Sequence, residues 1–255
     1  VSGLSVNGLA VNGLSVNGRS GNGLATPDFL AWFESDPGMA AMVVRYLARC
    51  ALPAGQSLSW EWNGTTYTWD GVLGLAPTWG SGETIPVAEQ QLMTACLAAH
   101  SNRFGLHVPL SIRGPMADGV SFVALDPGED TLFPQPEGCF FGNLFDGAGI
   151  FGGAFLASWT ADETNPRGCA VEGGLPGECP PIQHVGSCSD VCTPAPGEGP
   201  TVWLSCAMDG VSYLPLTTYL SAESVYLCGD GTCQFTESPF DPVSGRGCLS
   251  DCGSL

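Results

Sequence analysis

The chain has 255 residues and a formal charge of −18, from 25 acidic side chains against seven basic ones, all of them arginine. A surface of that sign repels phosphate backbones and anionic headgroups, which excludes nucleic-acid binding and electrostatic docking on membranes. The absence of lysine excludes Schiff-base catalysis and lysine isopeptide staples, while 44% hydrophobic and 13% charged residues with 36 Gly and 20 Pro describe a compact, turn-rich globule rather than a disordered chain.

Residues 1–25 read VSGLS VNGLA VNGLS VNGRS GNGLA, a five-residue period with Gly3, Gly8, Gly13, Gly18 and Gly23 in register. Leu4 and Val6, Leu9 and Val11, and Leu14 and Val16 each stand two apart, so an extended backbone points both members of a pair to one side. Asn-Gly tolerates positive φ at both positions and turns the chain, which would wind the repeat into a square β-coil. Four faces use about 20 residues, so five repeats make little more than one coil and need something to lean on. Three readings follow. The repeat is a tether, a coil packed on the chain's own body, or an extended arm that adds a strand to another subunit and builds open-ended polymers.

Thr26-Pro27-Asp28 opens a short helix with Thr as N-cap and Pro at the first helical position, carrying Phe29, Leu30, Trp32 and Phe33. Ser35-Asp36-Pro37 repeats the signal for a helix over 37–50, and a third begins near Pro86 and ends between Asn102 and Gly105. Between them SLSWEW, Asn63-Gly64 and TTYTW predict a β-hairpin over 57–69. Its Trp60, Trp62, Tyr67 and Trp69 form an aromatic ladder that is either a packing face against a helix layer or a platform for stacking on sugars.

Beyond it, 106–113, 119–125, 201–206 and 224–228 have strand character between Gly/Pro turns, and the run from Cys139 to Trp159 is dense in Phe and Gly with little charge, as closely packed strands require. From Asn165 to Pro200 periodicity fades, and disulfides are expected to supply the order. Twelve cysteines suit an oxidising compartment better than a reducing one. Cys50 and Cys96 stand apart and are expected to join two helices, whereas Cys139, Cys169, Cys179, Cys188, Cys192, Cys206, Cys228, Cys233, Cys248 and Cys252 crowd the second half. Zinc is the rival for Cys188/Cys192 and Cys248/Cys252, against which stands the lack of tight Cys-x-x-Cys knuckles with partner histidines. With no long apolar run and Val1 opening a polar repeat, neither a spanning helix nor a signal peptide is expected, and the chain reads as a processed form.

The C-terminal segment carries CGDGTC over 228–233, then Glu237, Asp241, Cys248, Asp251 and Cys252. This resembles a small cysteine-and-acid motif of secreted bacterial proteins, with 238–247 standing as an insertion. The resemblance implies two disulfides and a calcium ion held by Asp230, Glu237 or Asp251 with loop carbonyls; a turn held by disulfides alone stays open beside it. An EF-hand is excluded, because Phe235 stands where the sixth-position glycine belongs. More widely, RCALPAGQSLSW, GLAPTW, SIRGP and GCFFGNLF, with the Asn-Gly repeat, make the chain similar to cysteine-rich secreted or surface proteins of myxobacterial type. That resemblance implies an extracellular or envelope location and no particular activity.

Catalytic signatures are missing: no HExxH helix, GxSxG elbow, P-loop or GxGxxG turn is present, and His100, His107 and His184 are scattered. His100 reads as a helix-end cap or charge complement. The expected fold is α+β: a repeat over 1–25, helices and a Trp-rich hairpin over 26–112, and a β-rich, disulfide-stapled region over 113–255. The expected role is that of a secreted, non-enzymatic subunit of a self-assembling filament or surface array, a homopolymer joined through Leu4, Val6, Leu9, Val11, Leu14 and Val16. The alternatives are a monomeric surface module that binds carbohydrate and, third, a secreted hydrolase.

Overall fold

The structure is a computed structural model that describes residues 4–5, 24, 26–81, 83–102, 107–155, 167, 169–171, 181–199, 201–221, 233, 242 and 248–254. A two-residue strand β1 (Leu4–Ser5) precedes α1 (Pro27–Ser35) and α2 (Pro37–Ala51). Both helices start where their sequence signals stand: Phe29 N donates to Thr26 Oγ1 at 3.3 Å, and Met39 N to Asp36 Oδ1 at 3.0 Å. Strands β2 (Ser57–Trp62) and β3 (Thr65–Asp70) pair from Ser57–Asp70 to Trp62–Thr65. Their turn has φ of 48° at Asn63 and 76° at Gly64, the doubly left-handed geometry that matches strand twist.

After α3 (Pro77–Ser81), helix α4 (Val87–His100) stops short of the predicted end, because Ser101 and Asn102 turn into an extended strand, β4 (Ser101–Asn102). Then come β5 (Ser111–Arg113), α5 (Glu129–Leu132), β6 (Gln135–Asn143) and β7 (Gly149–Ala154). The chain continues through β8 (Ile182–Ser187), α6 (Cys188–Val191), β9 (Cys192–Pro194), β10 (Trp203–Met208), β11 (Val211–Tyr213), β12 (Leu216–Leu220) and α7 (Leu249–Cys252).

The central sheet runs β5-β12-β6-β7-β8, antiparallel except for the parallel β7–β8 pair, and a smaller sheet runs β11-β10-β9. Alternation along β6 decides the layers. Phe140 points into the core shared with α2, α4 and the hairpin, while Phe141 points the other way, with Phe151, toward Trp203 and Tyr213 of the small sheet. The glycines of β6 and β7 serve close approach: a Cβ on Gly138 would collide with Val171 and the Gly153 carbonyl. The outcome is α+β, helices and a hairpin packed on a disulfide-stapled β region, with one core drawing on Leu47 and Leu97 as well as Phe140 and Leu216.

Several local expectations shift. Residues 119–125 form no strand; Asp118 accepts from Val120 N and Ser121 N at 2.9 and 2.8 Å and bends the segment into a turn closed by a single Pro115–Phe122 bridge. The first predicted strand shrinks to β5. The segment 165–200, read as irregular, contains β8, α6 and β9, with β8 paired to β7 and β9 to β10. The strand expected at 224–228 lies outside the described residues.

Disulfides join Cys50–Cys96, Cys139–Cys188, Cys192–Cys206 and Cys233–Cys252. Cys169 and Cys248 are also disulfide-bonded, while Cys179 and Cys228 lie outside the described residues. Zinc at Cys188/Cys192 or Cys248/Cys252 is thereby overturned, since each of these sulfurs is committed to a disulfide.

Between α4 and the sheet lies a buried ion pair. Arg167 Nε donates to Glu137 Oε1 at 2.7 Å and Nη2 to Oε2 at 3.0 Å, with side-chain exposures of 1% and 0%. Arg167 Nη1 also donates to the Ser101 carbonyl at 3.1 Å, and Thr218 Oγ1 donates to Glu137 Oε2 at 2.7 Å. Arg167→Met strands the Glu137 carboxylate without its counter-charge, so urea unfolding followed by circular dichroism is expected to show a loss of about 3–5 kcal/mol. A loss below about 1 kcal/mol, the range of an exposed pair, would contradict that role.

Candidate functional site

Among the described residues, the repeat meets the body by strand pairing at β4, and Leu24 near its end packs against the main core. Strand β1 pairs in parallel with β4, Leu4 opposite Ser101 and Ser5 opposite Asn102. The accepting edge is held from inside: Ser101 and Asn102 are fully buried, Ser101 Oγ donates to the Ala98 carbonyl at 2.8 Å, and the Ser101 carbonyl receives Arg167. Of the six predicted assembly residues Leu4 lies in β1, and Val6, Leu9, Val11, Leu14 and Val16 lie outside the described residues. Sequence reasoning missed Ser101 and Asn102, which look like the frayed end of a helix until their backbone pairing is seen.

The aromatic ladder of the hairpin packs against α1. The Phe33 ring centroid lies 4.7 Å from Trp60, 5.2 Å from Trp62 and 5.3 Å from Tyr67, and Phe29 lies 5.3 Å from Trp60. Trp69 is only 3% exposed and stacks on Tyr67 at 5.5 Å. Edge-to-face contacts of this kind stabilise a core beyond the area they bury. The outward face is polar, with Ser59, Glu61, Thr66 and Thr68 exposed.

Of the predicted calcium ligands, Asp251 is half-buried in α7, and Asp230 and Glu237 lie outside the described residues. Among the described residues, the groupings of three potential metal ligands are Cys50, Cys96 and His100, and Cys139, Cys192 and Cys206. Every cysteine in them is disulfide-bonded and offers no thiolate.

A cavity of about 380 Å³ opens where α2 and α4 end. Arg49 and His100 contribute from those helices, Ile112 from β5, Val72 from the segment after β3, and Asp126, Glu129 and Phe133 from α5 and its flanks. Burial pushes His100 down to about 4, helped by the positive charges of Arg49 and Arg167, and outweighs the opposing hydrogen bond to the Cys96 carbonyl. That bond is 2.9 Å long and is donated by Nδ1, which leaves Nε2 as an acceptor; the Tyr46 ring packs 5.0 Å away. His100 therefore caps α4 as a neutral ring, which corrects its reading as a charge complement. No sequence pattern could have found this cavity, since its lining comes from five separate segments.

No protein-family model matches the chain, and neither a curated protein nor a solved structure does so.

Because the folded chain holds His100 neutral well below the ordinary value of 6.5, the unfolded chain binds the proton first as pH falls. The contribution of His100 to stability is thus complete above about pH 6.5 and is lost as pH drops toward about 4. NMR titration is expected to place the His100 midpoint near 4, and His100→Asn should flatten the fall in urea midpoint over that window. A midpoint near 6.5 would contradict the assignment.

Proposed function

We propose that the protein is an exported structural subunit that self-assembles into a filament or surface array by exchanging its N-terminal repeat between copies. The observation that carries this reading is the parallel pairing of β1 with β4, a strand addition made by the first unit of the repeat. Residues 4–8 and 14–18 are the same LSVNG sequence, so the backbone edge at Ser101 and Asn102 accepts either unit, and register alone does not choose between them. A unit lent to a neighbour makes a head-to-tail contact, which propagates into an open polymer unless the rotation closes a ring.

Export is supported by the disulfides, which persist in oxidising compartments. Among the described residues no helix is long and apolar enough to cross a membrane. Catalysis contributes nothing to this reading; the edge works through backbone pairing.

Electron microscopy of the oxidised protein over a concentration series, beside a variant lacking residues 1–25, tests the proposal. Filaments or arrays are expected from the full chain and dispersed particles from the truncated one, with circular dichroism confirming that the body of the variant stays folded. Polymers that survive the truncation, or dispersed full-length protein at every concentration, would overturn it.

A further inference from the structure

We infer that the cavity at the ends of α2 and α4 binds a free apolar amino acid or dipeptide in its zwitterionic form, at a site separate from the β4 edge. Its lining holds both signs of charge beside an apolar wall. Arg49 is half-buried, and its guanidinium has no hydrogen-bond or ion-pair partner among the described residues. A guanidinium removed from part of its hydration and left unpaired is costly, and a carboxylate satisfies it in bidentate fashion.

The carboxylates come from another segment of the lining. Asp126 is exposed and its side chain has no partner among the described residues, whereas Glu129 Oε2 accepts from Asp126 N at 2.9 Å. A purely anionic ligand would meet these two acids and the field of a chain with charge −18. A purely cationic ligand would meet Arg49. A ligand carrying one charge of each sign answers both, with its carboxylate on Arg49 and its ammonium toward Asp126 and Glu129. His100, held neutral, adds an Nε2 acceptor and no competing charge.

The apolar part of the ligand follows from the remaining wall. Ile112, Val123, Leu132 and Phe133 line the space beside Val72, and Val72 and Leu132 are 43% and 66% exposed, large apolar side chains with no cover. A volume of about 380 Å³ sits at the low end for small-molecule sites, which suits one or two residues and excludes a long peptide.

Calorimetry on the full oxidised chain provides the test, with L-phenylalanine and L-leucyl-L-phenylalanine as probes. At least one is expected to bind saturably with a Kd below about 1 mM, and blocking either charge, as N-acetyl-L-phenylalanine or L-phenylalaninamide, should weaken binding by about tenfold or more. Arg49→Met and Asp126→Asn should each weaken it similarly with an unchanged melting temperature. The inference fails if neither probe binds at about ten times that concentration, if the blocked forms bind as tightly as the parent, or if Arg49→Met binds like the unsubstituted chain. The blocked probes act on the unsubstituted protein, so this test does not depend on how the variants fold.

Discussion

The bidentate pair between Arg167 and Glu137 is the constraint on which the rest of the interior depends. Glu137 belongs to β6, its second oxygen also takes the hydroxyl of Thr218 on β12, and Arg167 reaches across to the Ser101 carbonyl at the end of α4. Two charges out of water tolerate almost no slack, because a lost partner leaves the other ion buried and alone. Helix end, two strands and the Arg167 segment must therefore arrive together, which makes the helical and β layers one cooperative unit. The same arginine fixes the carbonyl of the residue on which β1 pairs, so the position of the β4 edge is set from inside the core.

Helix α4 carries the second level of organisation. Leu92, Met93, Ala95 and Leu97 are fully buried, yet Glu89, Gln91 and Thr94 are buried beside them. Each of these polar groups answers backbone outside α4: Glu89 accepts from Thr78 N and Trp79 N in the first turn of α3 at 3.1 and 3.2 Å, while Gln91 accepts from Leu214 N and Thr94 from Leu144 N in loops, each at 3.0 Å. Loop amides and the free first-turn amides of a helix need such acceptors when brought into a core, since an unpaired buried amide costs about 1–3 kcal/mol. Where the core thins to the small cluster of Phe141, Phe151, Trp203 and Tyr213, disulfides take over, with Cys139 Sγ of one bridge 3.8 Å from Cys192 Sγ of the next.

The legible parts of the fold are those whose cause is local. Asn63-Gly64 between alternating runs specified the hairpin, the Thr26 and Asp36 caps fixed two helix starts, and the lone cysteines on two helices foretold Cys50–Cys96. Strands β8, β9 and β12 were not legible, because runs of three to six residues carry little period of their own and acquire a face only from their neighbours. The ion pair was invisible for a related reason: Arg167 follows a proline in a stretch without pattern, and nothing in Glu137 marks it as buried. The cavity is the extreme case, with Arg49 supplied by α2, Glu129 by α5 and Asp126 by the loop before α5. The repeat was the opposite, plain as a period yet silent about the edge that receives it.

The seven arginines are also every bond at which a trypsin-type protease can cut this lysine-free chain. Among the described residues, Arg45 and Arg49 sit within α2, Arg113 lies in β5 with its guanidinium over the Tyr219 ring at 3.7 Å, and Arg167 is sealed in the core. Proteases need several residues of extended, detachable backbone, which helix interiors, paired strands and buried segments do not offer. At these four positions the fold thus withholds the peptide bond from basic-specific digestion, and the scarcity of basic residues leaves only three further such bonds in the whole chain.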